Sequence, residues 1–168
     1  MRKLIALGLV LVGFTVALSV SNRKSRAADN EAEIRQAWER WAKAFRTHDV
    51  DGIMAMYAPD VVAYDFVAPL QYVGKDAYRK DYIAFLAQFD GPIDVEFRDL
   101  KVTVGDTVGF VYALEHFSGK MKNGEPLDMW GRCTSGFRKI NGKWMDVHDH
   151  CSVPTDFDTG KAVLDLKP

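Results

Sequence analysis

Residues 130–153 read WGRCTSGFRKINGKWMDVHDHCSV, two runs rich in aromatic and β-branched residues parted by Asn141-Gly142. An Asn-Gly pair between such runs is a strong hairpin signal, because both residues tolerate the positive φ of a tight turn. The same grammar extends backward: Ile93 to Val104, Thr107 to Gly119 and Leu127 to Ile140 are strand-like, and Gly105-Asp106 and Asn123-Gly124 separate them. With Lys143 to Val153 they form a meander. In that last strand Trp144, Asp146, His148, His150 and Ser152 alternate onto one face, and Met145, Val147, Asp149, Cys151 and Val153 onto the other.

The register of the last hairpin has two solutions. A bulged turn sets Phe137 opposite Val147, Arg138 opposite Asp146, Thr134 opposite His150 and Cys133 opposite Cys151. A plain two-residue turn shifts the pairing by one and puts Arg132 and Thr134 on the face opposite His148 and His150. The bulged register is chemically better, since it pairs an arginine with an aspartate and sets the only two cysteines side by side. A cross-strand disulfide can form there.

Ahead of the meander the apolar period is helical. Ile34, Ala37, Trp38, Trp41, Ala42 and Phe45 recur at three- and four-residue steps between Asn30 and Phe45. Val50 to Met56 predicts a short second helix closed by Pro59, Val61 to Val67 a strand, and Lys75 to Phe89 a third helix carrying Tyr78, Tyr82, Phe85, Leu86 and Phe89 on its apolar side. Helices followed by a meander define an α+β plan, a cone-shaped, strongly bent antiparallel sheet packed against three N-terminal helices and enclosing one pocket.

The first 28 residues differ in kind. Arg2 and Lys3 precede an unbroken apolar stretch from Leu4 to Val20, the pattern of an export signal, with small residues for cleavage near Ala27 or Ala28. The rival is an uncleaved anchor through residues 4–20, although a spanning helix wants ~20 apolar residues. Either way the folded part, 29–168, faces an oxidising space, periplasmic or secreted. A chain of 168 residues with 48% hydrophobic content fits one domain there, with Pro154 to Pro168 as an ordered C-terminal strap. Its net charge of −1, without a block of either sign, gives no nucleic-acid footprint and points to a small organic partner.

Arg40-Trp41, Asp49-Val50-Asp51-Gly52-Ile53 and Tyr57-Ala58-Pro59-Asp60, followed by Asp65, resemble the opening of ketosteroid isomerase. Trp130-Gly131-Arg132-Cys133-Thr134, Phe137-Arg138-Lys139, Gly142-Lys143-Trp144 and His148-Asp149-His150-Cys151-Ser152 resemble SnoaL-like proteins of the nuclear transport factor 2-like superfamily. Together these motifs cover nearly all of Asn30 to Pro154. The resemblance implies the cone fold and a homodimer paired through the outer sheet face, where Val147, Phe137 and Val153 are expected. It also implies a catalytic base at Asp65. The family's oxyanion tyrosine corresponds to Trp41 and its aspartic acid falls near Thr134 or Ser135, so the isomerase's other two groups do not carry over.

The candidate site therefore joins Asp65, His148 and His150 as acid/base residues, a histidine being poised near neutrality by a neighbouring carboxylate. Tyr64, Trp41, Trp130, Arg132 and Asp146 are the candidate substrate-binding residues, with Arg132, Tyr64 or Trp41 on a carbonyl oxygen. The expected function is a cofactor-free isomerase or lyase working beside a carbonyl; the alternative is a non-catalytic binder of a small hydrophobic ligand in the same pocket. No metal is expected, since a His-x-His pair with Asp146 or His116 fixes no further ligand by local spacing. A plainer reading accompanies each residue: strand histidines often serve only as structural hydrogen-bonding groups, and a lone aspartate can simply orient a loop.

Overall fold

A computed structural model describes residues 26–168; residues 1–25, and with them nearly all of the segment expected to be an export signal or anchor, lie outside the described residues. The first helix, α1, runs over 26–46 and buries the stripe of Ile34, Ala37, Trp38, Trp41, Ala42 and Phe45 that its periodicity predicts. A one-turn helix follows, α2 (Val50–Met54), whose cap Asp49 accepts a hydrogen bond from Gly52 N. A side chain at Gly52 would collide with Asp49 and with Ala44 of α1, which explains the glycine in this tight junction. Among the described residues no helix is long and apolar enough to cross a membrane.

The remaining elements are β1 (Tyr57–Tyr64), β2 (Tyr72–Val73), α3 (Lys75–Leu86), β3 (Phe89–Val104), β4 (Val108–Met121), β5 (Pro126–Ile140) and β6 (Lys143–Ser152). They form a six-stranded sheet in the order β2-β1-β6-β5-β4-β3. The meander β3 to β6 is antiparallel, as expected, but β1 pairs with β6 in parallel, so the sheet is mixed. Its strand begins earlier than the apolar run suggests: Tyr57 already faces Asp146, and Pro59 sits where the β1–β6 register shifts, the position in a ladder where a missing N–H costs least. The fold is α+β, a curved sheet wrapped around the three helices.

Among the described residues the strand ladders shift register at Tyr57/Val62, Phe89/Ile93, Arg98/Lys101 and Gly136/Phe137. In β3 the pairing with β4 slips between Arg98 and Lys101, at an Asp99 of φ 56°. In β6, Phe137 faces Asp146 while Gly136 faces His148, which leaves Val147 as a bulge. The Asn141-Gly142 turn is the plain two-residue kind, with Ile140 facing Lys143 and both turn residues at positive φ. The one-residue slip lies inside the strand instead, where Asp146 Oδ1 accepts the His148 N–H at 3.0 Å and so satisfies the backbone that the bulge frees. Beyond the bulge the cross-strand pairs are Thr134 with His150 and Cys133 with Cys151, the latter with Cα atoms 4.2 Å apart and bonded sulfurs.

After β6 the tail folds into a small hairpin, β7 (Thr155–Asp156) with β8 (Lys161–Ala162). It is held by polar contacts, Val163 N to Pro154 O, Lys167 to Asp128 and Arg98 to the Pro168 carbonyl, while Leu164 and Leu166 stay half exposed.

Candidate functional site

The bulge at Val147 decides what the cone contains. Trp144 and Asp146 point inward before it; after it the inward residues are Asp149 and Cys151, while His148 and His150 turn outward. On β5, Cys133, Ser135 and Phe137 face in, and Trp130, Arg132 and Thr134 face out. A cavity of about 240 Å³ lies between the helices and the concave sheet. Its apolar wall comes from α1 (Trp38, Trp41, Phe45), from the segment after β1 (Phe66, Val67), from α3 (Tyr78, Tyr82, Phe85) and from the sheet (Phe117, Leu127, Met129). Asp65, Asp81, Glu115 and Asp149 are its carboxyl groups.

Of the candidate residues, the structure brings Asp65 and Trp41 to this cavity and sends the other six elsewhere. Tyr64, 41% exposed, packs edge-on against His148 and His150 on the outer face, with ring centroids 4.8 and 5.8 Å away. His148 Nδ1 is tied to the Val62 carbonyl at 2.8 Å. Trp130 stacks on His116, which is bonded to Asp128, and Arg132 is exposed. Asp146 is fully buried, but it braces the bulge instead of lining the cavity, and its Oδ2 has no partner. The shared face of Arg132, Thr134, His148 and His150 exists, on the convex side. Phe137, expected outside, is 2% exposed within the core for the same reason of register.

The chemistry inside belongs to residues that alternation alone did not single out. Asp149 Oδ2 accepts from Tyr57 (3.2 Å) and Tyr78 (3.0 Å), and its Oδ1 accepts from Ser135 (3.0 Å). Tyr78 also reaches Asp65 Oδ2 at 3.0 Å, and Asp65 Oδ1 accepts the Phe66 N–H. The Tyr57 and Tyr82 hydroxyls meet at 2.6 Å, and Tyr82 lies 3.4 Å from the Tyr78 hydroxyl. Burial holds all three phenols well above their ordinary pKa, so they remain hydrogen-bond donors. Tyr78 has one proton for two carboxyl groups. If Asp65 is protonated, it can donate to the Tyr78 oxygen while Tyr78 donates to Asp149, and one proton then serves both ends.

Burial pushes the Asp65 carboxyl up to about 6, helped by Asp81 and Asp149 and opposed by the bonds from Phe66 and Tyr78. Burial also raises Asp149, against the three hydroxyl bonds it receives. Glu115, 4% exposed, is raised well above the carboxylate range by burial, then by Asp149 and Asp65. Its carboxylate oxygen lies within 4.8 Å of both bonded cysteine sulfurs, which closes that wall of the cavity. Glu115 was legible in principle, as a charged residue in the inward row Val111, Ala113, Phe117 of β4. Tyr78 and Tyr82 lie on the buried side of α3, as their spacing predicts, and both line the cavity with hydroxyls in the hydrogen-bond network.

Comparison with known proteins agrees with this architecture. A structure of a nuclear transport factor 2-like protein of unknown function from Pseudomonas putida shares 35% identity over 84% of this chain and 98% of that one, with a TM-score of 0.77. A ketosteroid isomerase-like protein from Erwinia carotovora atroseptica superposes at TM-score 0.62 with 21% identity, over 72% of this chain and 93% of that one. A candidate scytalone dehydratase from Novosphingobium aromaticivorans superposes at 0.69 with 13% identity, over 76% and 86%. At those last two identities the likeness is one of fold alone. No curated protein matches the sequence. The family model described as the SnoaL-like domain matches residues 34–156, from the first buried apolar residue of α1 to the end of β7, and the chain belongs to that family.

Proposed function

We propose that the cavity takes a small, largely apolar organic molecule and moves a proton on it without a cofactor, as an isomerase or lyase, with Asp65 as acid/base. The observation that carries this is the Asp65 carboxyl itself: it stands in the cavity wall, is held near neutrality by burial, and shares the single Tyr78 proton with Asp149. In the forward step the C–H beside a carbonyl breaks, the proton goes to Asp65, and the electron pair moves onto the carbonyl oxygen as an enolate. As Asp65 takes the proton, the Tyr78 hydroxyl turns wholly to Asp149. The Tyr57–Tyr82 pair supplies hydroxyl donors for the enolate oxygen, the role expected of Arg132, Tyr64 or Trp41.

The test is solvent-deuterium exchange into a panel of small carbonyl compounds, comparing the native protein with Asp65→Asn. Exchange that disappears in the variant supports the reading, and equal exchange in both refutes it. A non-catalytic binder is the second reading, favoured by the buried, unpartnered Trp41 indole nitrogen where ketosteroid isomerase keeps its tyrosine. Ligand binding without exchange by the native protein would select it.

Export and a homodimer are part of the same proposal. The Cys133–Cys151 bond supports an oxidising compartment, and exposed Val108, Phe110 and Tyr112 on the outer face of β4 support pairing there.

A further inference from the structure

The cavity is chemically one-sided. Four carboxyl groups line it, from β1's end (Asp65), α3 (Asp81), β4 (Glu115) and β6 (Asp149), and among the described residues no lysine, arginine or histidine does. Asp65, Asp81 and Asp149 each have hydroxyl partners. Glu115 does not: it is 4% exposed, opens onto the cavity, and burial, Asp149 and Asp65 all push its carboxyl towards the neutral form. A buried carboxyl without a donor is costly unless neutral or matched by something that enters. The same cavity is lined by many rings, Trp38, Trp41, Phe45, Phe66, Phe85 and Phe117 among them. Aromatic faces carry partial negative charge and attract cations, most strongly where water is excluded.

We propose that the natural ligand of this cavity is a cation, an ammonium compound with an apolar body, whose charged end sits between Glu115 and the aromatic wall. An anionic ligand would enter a site with four acids and no base. A neutral hydrocarbon would fill the wall and leave Glu115 without a partner. A cation resolves both: it lets Glu115 ionise and faces rings suited to it. The inference rests on the small-molecule reading of the cavity, but not on proton transfer by Asp65.

The probe is phenyltrimethylammonium, whose charge does not change with pH, against tert-butylbenzene, its neutral isostere. Binding is followed by calorimetry and by quenching of tryptophan fluorescence. At pH 7 the cation is expected to bind about tenfold or more tighter than the isostere. Its affinity should rise about tenfold from pH 5 to pH 7, with protons released on binding, because the cation favours the ionised forms of Asp65, Asp81, Glu115 and Asp149 while the phenols of Tyr57, Tyr78 and Tyr82 stay protonated. The isostere should show no such slope. Glu115→Gln keeps the shape and removes the charge; it should weaken the cation about tenfold and leave the isostere unchanged, with the melting temperature reporting an intact fold.

Equal or tighter binding of the isostere, a flat pH profile, binding of neither probe, or full cation affinity in Glu115→Gln each overturns the proposal. Cation binding with no deuterium exchange leaves it standing and removes the catalytic reading. Exchange on neutral carbonyl compounds with no preference for the cation does the reverse.

Discussion

Asp65→Asn should make the protein more stable, and only above the acid range. The native carboxyl moves from its ordinary 3.8 to about 6 on folding, with burial the largest cause. The folded state therefore binds more protons than the unfolded state between those values, and stability falls as pH rises through that window. Multiplying by 1.36 kcal/mol per decade gives about 3 kcal/mol in full, of which about 2.5 falls between pH 4 and pH 8. Asparagine carries no charge and so lacks this slope. Its oxygen still accepts from Phe66 N, and its amide can donate to the Tyr78 oxygen, freeing the Tyr78 proton for Asp149. Urea titrations of both proteins at half-unit steps, with the disulfide intact, yield the difference directly, and contributions from Glu115 and Asp149 largely cancel in it. The expected result is near-equality at pH 4 and a variant about 2 to 3 kcal/mol more stable at pH 8. Parallel curves, or a variant less stable at pH 8, would show that Asp65 is ionised at little cost and would remove the basis of its acid/base role.

Gly131→Ala puts a methyl group into the Phe66 ring, which lies against the glycine; the expected loss is about 1–3 kcal/mol in chemical denaturation, and an unchanged midpoint would refute the contact. Reduction of the Cys133–Cys151 bond, which closes a separation of 18 residues, should cost about 3 kcal/mol by the same assay with and without reductant. His148→Ala and His150→Ala, on the outer face, should leave deuterium exchange within about twofold of native, since neither ring reaches the cavity; a larger loss would return the histidines to the site. Sedimentation at micromolar concentration should give a dimer that Tyr112→Lys weakens, and a native monomer would refute pairing through the outer face.

Where a helix or strand has one buried face, the sequence carries its period openly. Trp38, Trp41 and Phe45 on α1 and Tyr78, Tyr82 and Leu86 on α3 are buried as their spacing demands. The strand beginning at Tyr57 was harder, because Pro59 reads as a stop signal unless the ladder is already interrupted there, and only the paired strand reveals that interruption. The parallel contact of β1 with β6 joins residues some 86 positions apart and leaves no local trace.

One residue separates the expected site from the observed one. Each of the two possible registers holds on its own side of Val147: the plain turn governs Lys143 to Asp146, and the slipped pairing governs His148 to Ser152. Continuous alternation from Trp144 would put His148 and His150 inside and Asp149 outside, and a bulge reverses this without altering any residue type. The trace it does leave is Asp146, a fully buried acid whose side chain satisfies the His148 N–H two residues on. Cys133 and Cys151 constrain the same point, because their bond requires the slip to be complete before Cys151. Here the reversal puts Asp149, with Ser135, Tyr57 and Tyr78 bonded to it, where the histidine pair was expected, and so lines the cavity with carboxyl and hydroxyl groups in place of imidazoles.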